Sequence, residues 1–170
     1  LGWVYEYYNR PIIEDLDDKD SLEPEEVAPA NQFYTPHWVV RLLTDNSLGR
    51  LYLESEADLD SVIDSQADLT IEERKKRDQM VTHTSDVGEF CTYLLPNVEP
   101  GATPDFDHPR DLDVFDPACG SGHFLLYAFD VLERIWRKEC PDMDYGEIPS
   151  QILEHNLYGV DLDMRACQLA

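Results

Sequence analysis

The stretch DVFDPACGSGHFLLYAFDVL constrains the fold more than any other part of this chain. The apolar run from Leu112 to Phe115 is typical of a strand, and residues Gly122 to Arg137 carry apolar side chains at helical spacing. Between the two lie Asp116 and a turn that contains Gly120. A strand, a glycine-containing turn and an amphipathic helix together indicate a ligand site of the α/β type, in which ligands lie beyond the carboxyl ends of parallel strands.

The same order of elements returns near residue 160. Ile152 to His155 is typical of the last turn of a helix, Leu157 to Val160 predicts a second strand, and Asp163 is placed to cap a following helix. Alternating strands and helices predict a parallel α/β fold. We therefore expect residues 111–170 to form the first β-α-β-α part of an α/β domain.

Residues 1–110 are predicted to form a mainly helical amino-terminal region. Thr35 before Pro36 favours a helix start with Thr35 as its cap, and Thr70 with Glu73 matches a capping box. We expect an exposed loop that begins with the acid-rich stretch Glu14–Asp20 and runs through Pro24 to Pro29, and a short helix at Phe90–Leu95 that is ended by Pro96.

Charge and cysteine content narrow the possible environments. The 13 basic and 36 acidic residues give a net charge of −23, and a surface with so much negative charge repels nucleic acid. The scattered acids and the low lysine content favour adaptation to a high-salt cytoplasm over a DNA-mimicking protein. The four cysteines are widely spaced and indicate reduced thiols without a metal site. We find no membrane span or signal peptide, which predicts a cytoplasmic protein.

Three ligands compete for the DPACGSG turn. A phosphate loop needs a lysine after its second glycine, and none lies near Gly120 or Gly122. A dinucleotide turn needs a third glycine, where this chain has Leu125, so the close packing of helix on strand is not provided. S-adenosylmethionine has no pyrophosphate and is the ligand that remains.

The acids at the two strand ends suit that ligand. Asp116 can hold its ammonium, Gly120 permits a close approach of the backbone, and the amides of the following helix favour its carboxylate. Asp161 follows the second strand and can accept both ribose hydroxyls, while Leu162 beside it can contact the adenine.

These residues resemble a known family. DPACGSGHFL is similar to motif I, and YGVDLD to motif II, of the methyltransferases that modify the amino group of adenine in DNA. QFYTPHWVV resembles their motif X, placed before motif I as in type I modification subunits. NSLGRLY is similar to a segment that follows motif X in adenine-specific methyltransferases of the BREX or phage-growth-limitation type. The resemblance runs from the first residue to the last.

The resemblance implies a Rossmann-like, S-adenosylmethionine-dependent methyltransferase domain. The cofactor-binding residues that it indicates, together with Leu162 from the strand-end pattern, are Tyr34, Thr35, Pro36, Asp116, Pro117, Ala118, Cys119, Gly120, Ser121, Gly122, Asp161 and Leu162. The motif I residues would line the methionine end, Asp161 would bind the ribose, and Tyr34 to Pro36 would close the pocket. A plain helix cap is the alternative for Tyr34 to Pro36.

The family's catalytic tetrad, [DNS]-P-P-[YFW], has no match here, since the sequence contains no Pro-Pro pair. The chain also begins without Met and stops inside a predicted helix, so we expect it to be a piece of a longer protein. We therefore predict no catalytic residue and no methyl transfer by this chain alone. The expected partners are DNA, through regions largely outside it, and other defence-system subunits. The alternatives are a non-catalytic cofactor-binding scaffold and a methyltransferase for RNA or protein.

Overall fold

A computed structural model describes residues 2–17, 35–70, 72–74, 84–96 and 106–168, and the single residues 19, 21, 23, 76 and 170. The helices are α1 (Gly2–Asp17), α2 (His37–Thr44), α3 (Arg50–Ser55), α4 (Leu59–Gln66), α5 (Val87–Phe90), α6 (His123–Glu139), α7 (Ile148–His155) and α8 (Met164–Cys167). A π-helical turn, Asp45–Gly49, joins α2 to α3, and a 3-10 turn covers Pro109–Asp111. The strands are β1 (Val114–Asp116) and β2 (Leu157–Gly159).

The two strands pair in parallel and are joined by α6 and α7. The predicted mixture of helices with a parallel sheet is thereby confirmed. The division at residue 110 stays a prediction.

Helix α6 is the centre of the packed core. Its buried face presents Ala128, Val131, Leu132 and Ile135, each at most 1% exposed, at the spacing of one helical stripe. Burial of each of the three larger side chains, Val131, Leu132 and Ile135, stabilises the fold by about 1.5–3 kcal/mol. The stripe belongs to one buried cluster with apolar residues from α2 to α5 and from α7.

Asn156, which is fully buried, fixes the approach to both strands. Its Oδ1 accepts from the indole N–H of Trp136 at 2.9 Å, and its Nδ2 donates to the carbonyls of Pro109 and Leu112 at 2.7 and 2.9 Å. The Asn156 carbonyl then accepts the first ladder bond, from the amide of Val114, at 2.7 Å. One side chain therefore sets where β1 and β2 begin.

Two predictions in the amino-terminal region are wrong. The N-cap of α2 is Pro36 and not Thr35, and no side chain caps the helix, because proline has no side-chain hydrogen-bond acceptor. The predicted loop from Glu14 to Pro29 begins inside α1, which continues to Asp17 with Leu16 buried near its end, and residues 24–29 lie outside the described residues.

The predicted helix at Phe90–Leu95 is also wrong, since α5 ends at Phe90. Beyond it, the amide of Tyr93 donates to Asp45 Oδ2 at 3.0 Å and the amide of Leu95 donates to Asn46 Oδ1 at 2.8 Å. These amides, which would donate to backbone carbonyls in a longer helix, donate here to side chains of the π-helical turn.

Candidate cofactor site

The parallel pairing brings the two predicted acids to one edge of the sheet. Asp116 is aligned with Gly159, and the amide of Val160 donates to the Asp116 carbonyl at 3.0 Å. Asp161 follows one residue later. Both carboxylates therefore stand at the carboxyl ends of neighbouring strands, where α/β sheets bind ligands.

The turn from Pro117 to Gly122 folds over this edge. The amide of Ala118 donates to Asp116 Oδ1 at 3.0 Å, and the amide of Gly122 donates to the Cys119 carbonyl at 2.8 Å. Gly120 has φ +52°, and a methyl group added to it would meet no atom of the described residues within 4 Å. The backbone at Gly120 thus combines a left-handed conformation with open space above it, as a close approach by a ligand requires.

Asp161 has a structural role that sequence reasoning missed. Its Oδ2 accepts from the amide of Gly120 at 2.8 Å, and its Oδ1 accepts from the amide of Asp163 at 2.8 Å. The carboxylate therefore ties the turn after β1 to the chain after β2. A carboxylate offers about four acceptor positions, so both oxygens retain the capacity to accept a further hydroxyl.

Asp116 carries an unsatisfied oxygen. Its Oδ1 accepts from the Ala118 amide, whereas its Oδ2 is buried and has no hydrogen-bond partner among the residues that the structure describes. An unpaired buried carboxylate oxygen costs roughly 1–3 kcal/mol or more, which makes it a place where a cationic donor would bind favourably.

Gly159 on β2 lies close to helix α6 and to the turn after β1. A methyl group on Gly159 would lie 2.8 Å from Leu125 Cδ1 and 3.1 Å from Cys119 Sγ. Gly159 on β2 therefore leaves room for the side chains of Leu125 and Cys119 against the strand. No periodic pattern marks such a position.

The other predicted residues lie at different depths. Pro117 and Ala118 are exposed and Cys119 is buried, while Ser121 Oγ lies 3.4 Å from His123 Nδ1. Burial, reinforced by the nearby Cys167 and carboxylates, raises the pKa of the Cys119 thiol to about 11. It is therefore protonated at neutral pH.

Leu162 is 98% exposed, which leaves its side chain open to a ligand. Upstream of the turn, Thr35 is half-buried and Pro36 is exposed, and Tyr34 lies outside the described residues. Their predicted place over the cofactor stays a prediction.

A cavity of about 700 Å³ runs along β1. Asp116 and Pro117 line it, opposite the helical segment from Leu43 to Leu51. This volume lies within the range of small-molecule sites. Gly120 and Asp161 are not among its lining residues, so the cavity meets the site at Asp116 and at Pro117, the first residue of the turn.

Within the part of the chain that the structure describes, three other kinds of function find little support: a basic binding surface, a metal site and a membrane span. The guanidinium of Arg74 donates to the carbonyls of Gln66 and Thr92, which makes it a structural link. Histidine, cysteine and acidic side chains of the described residues form no group of three that could hold a metal ion. Within those same residues, no helix has the length and apolar character needed to cross a membrane.

Comparison with known proteins identifies related sequences. Residues 107–170 match a family model described as the MmeI DNA-methyltransferase domain. The chain is 31% identical over 170 residues to the adenine-specific methyltransferase BrxX of Escherichia coli O9:H4 (strain HS), covering 100% of the chain and 12% of that protein. It is 31% identical over 171 residues to the adenine-specific methyltransferase PglX of Lacticaseibacillus casei (strain Zhang), covering 99% of the chain and 13% of that protein.

A PglX from Streptomyces coelicolor is 36% identical over 61 residues, which is 36% of the chain and 5% of that relative. The chain thus spans about an eighth of the length of the first two relatives. The predicted resemblance to this family of methyltransferases is confirmed.

Proposed function

Since the chain is related over its whole length to the adenine-specific methyltransferases BrxX and PglX, we propose that it supplies an S-adenosylmethionine-binding part of an adenine-specific DNA methyltransferase. The proposal includes a Rossmann-like fold, of which β1, α6, α7 and β2 are the described part. It also includes a role in restriction-modification or phage defence, which rests on the family resemblance.

The observation that carries the proposal is the buried, unpaired Oδ2 of Asp116 at the end of β1. An ammonium group would satisfy this oxygen with a charge-assisted hydrogen bond, about twice as strong as a neutral one. Asp116 also lines the adjoining cavity, so a ligand held there has room beside it. The residues present therefore fit the amino-acid end of S-adenosylmethionine.

Asp161 and Leu162 suit the other end of the cofactor, which consists of the ribose and the adenine. Asp161 keeps free acceptor positions on both oxygens, which suits the two ribose hydroxyls, and the exposed Leu162 side chain suits the adenine. When bound, S-adenosylmethionine supplies an electrophilic methyl group on its sulfonium. This chain's own residues bind and orient that cofactor, and we assign none of them to the transfer step.

The proposed substrate, adenine in DNA, rests on the names of the related proteins, and the net charge of this chain bears on how the DNA is held. Adenine is named for BrxX and PglX, and DNA for the matched family model. The net charge of −23 opposes contact between this chain and a phosphate backbone. We therefore propose that the DNA is held mainly by other parts of the protein.

Calorimetric titration of S-adenosylmethionine in molar potassium chloride tests the proposal. We expect saturable binding to the chain and a loss of affinity of about tenfold or more in Asp116→Asn, because the variant keeps the acceptor for the Ala118 amide but loses the charge. Asp142→Asn, an exposed acid in the connector before α7, makes the same charge change and should bind normally.

Circular dichroism establishes first that all three proteins are folded. Equal affinity in Asp116→Asn and the parent chain would contradict the proposed role of Asp116. A folded parent chain without any binding heat would contradict cofactor binding by this chain.

A further inference from the structure

Gly159 lies where β2 passes against the turn that follows β1. It is aligned with Asp116 in the parallel pair, and the space that a side chain would need is taken by Leu125 of α6 and Cys119 of the turn. The positive φ angles of the described glycines belong to Gly120 and Gly122, so Gly159 has an ordinary backbone conformation. Space, and not backbone conformation, is therefore what requires a glycine at this position.

The two neighbours of Gly159 would respond differently to a methyl group. The methyl would lie 2.8 Å from Leu125 Cδ1, which is the end of a flexible side chain and can rotate away. It would also lie 3.1 Å from Cys119 Cβ, which is attached directly to the backbone of the turn. Because carbon atoms pack at about 3.5–4.0 Å, relief of the second contact would move the turn away from β2 by roughly 0.5 Å.

The part of the turn that would move carries its hydrogen bonds to the chain after β2. The amide of Cys119 donates to the Val160 carbonyl at 3.0 Å, and the amide of Gly120 donates to Asp161 Oδ2 at 2.8 Å. Hydrogen bonds of this kind weaken beyond about 3.2 Å. A side chain at Gly159 would therefore weaken the bond that joins the turn to one of the candidate ligand-binding acids.

We propose that Gly159 is a positioning residue of the cofactor site. Because it has no side chain, Cys119 packs against β2, and this packing holds the Gly120 amide on Asp161 in the geometry that the cofactor meets. Gly159 itself touches no ligand in this proposal and acts through Cys119. The identity of the ligand rests on the proposed function, whereas the position of the turn can be measured without any ligand.

Hydrogen exchange of the Gly120 amide, followed by NMR, reports on the turn directly. In Gly159→Ala we expect this exchange to accelerate by about tenfold or more, because the bond to Asp161 is weakened. Gly146→Ala is the matched control, since its methyl group would lie 3.1 Å from Asp144 Oδ1 in the connector before α7. That variant should leave the exchange of Gly120 unchanged.

Two second-site variants separate the turn from the helix. Cys119→Gly removes the turn atoms that the new methyl group would meet, so adding it to Gly159→Ala should return the exchange of Gly120 to the rate of Cys119→Gly alone. Leu125→Ala removes only the helix contact and should give no such rescue. If Gly159→Ala alone does not fold, recovery of the fold by Cys119→Gly and not by Leu125→Ala supports the same conclusion.

Calorimetric titration of S-adenosylmethionine then connects the turn to the cofactor. We expect Gly159→Ala to bind about tenfold more weakly than the parent chain, and Cys119→Gly to restore the affinity, because the site is no longer held ready for its ligand. Unchanged exchange at Gly120 in folded Gly159→Ala would overturn the proposal, and so would equal rescue by Leu125→Ala. If the parent chain binds no cofactor, the proposed function fails, and the exchange of Gly120 alone decides whether Gly159 positions the turn.

Discussion

Asp45 should make the stability of this protein depend on pH. It lies in the π-helical turn, is 0% exposed, and accepts from the Tyr127 hydroxyl at 2.7 Å and from the Tyr93 amide at 3.0 Å. Burial raises the pKa of Asp45 from 3.8 to about 6, although these hydrogen bonds and the positive charge of Arg41 oppose the rise. The folded protein therefore binds a proton at Asp45 more tightly than the unfolded chain does.

The sign and size of the effect follow from that difference. The contribution of Asp45 to the free energy of unfolding is fully present below pH 3.8 and is lost as the pH rises through about 6. A pKa difference of about two units corresponds to about 3 kcal/mol. The protein should lose this amount of stability from Asp45 between acidic and neutral pH.

Urea unfolding of the parent chain and of Asp45→Asn measures the loss. The asparagine cannot ionise, so we expect the stability of the variant relative to the parent to rise by about 3 kcal/mol between about pH 4 and pH 7. Asp64→Asn, which removes an exposed acid of α4, controls for net charge and should show little change with pH. If the difference between Asp45→Asn and the parent stayed constant across this range, the assignment of the titration to Asp45 would be refuted.

Two further predictions concern the site and its support. Gly120→Ala should lower the free energy of unfolding by about 1 kcal/mol, since φ is +52° but the added methyl group meets no described atom. A much larger loss in thermal unfolding would contradict the open space above Gly120. Asn156→Ala should lower the free energy of unfolding by at least about 3 kcal/mol, because it leaves the Trp136 indole N–H and the carbonyls of Pro109 and Leu112 unpaired in the core. A loss below about 1 kcal/mol in urea unfolding would argue against this role of Asn156.

Local signals in the sequence predicted local structure well. The apolar run before Asp116 and the run before Asp161 indicated two strands, and both form, as β1 and β2. Thr70 and Glu73 form the predicted capping box, and the Asp163 side chain accepts from the Arg165 amide at the start of α8. Such features depend on residues a few positions apart, whose spacing the sequence displays directly.

The sequence also predicted that two acids would meet at one place. Asp116 and Asp161, each placed after a strand, were expected to meet at one edge of a parallel sheet, and they do. The motifs around them indicated the family of methyltransferases with which the comparisons agree.

Contacts between distant segments were decided by tertiary structure. The Phe90–Leu95 helix failed because Asp45 and Asn46, nearly fifty residues away, take the amides of Tyr93 and Leu95. Hydrogen bonds of this kind leave no periodic pattern, and neither does the role of Asp161 in holding the Gly120 amide.

The amino-acid sequence therefore determined the strand, turn and helix that form the candidate cofactor site, because those elements follow from residue types at short spacing. Tertiary packing alone decided that the Asp116 Oδ2 would be buried without a partner among the described residues, and that Asp161 would accept from the amide of Gly120. Burial and proximity between remote residues arise only when the whole chain excludes water, and no segment carries that information by itself.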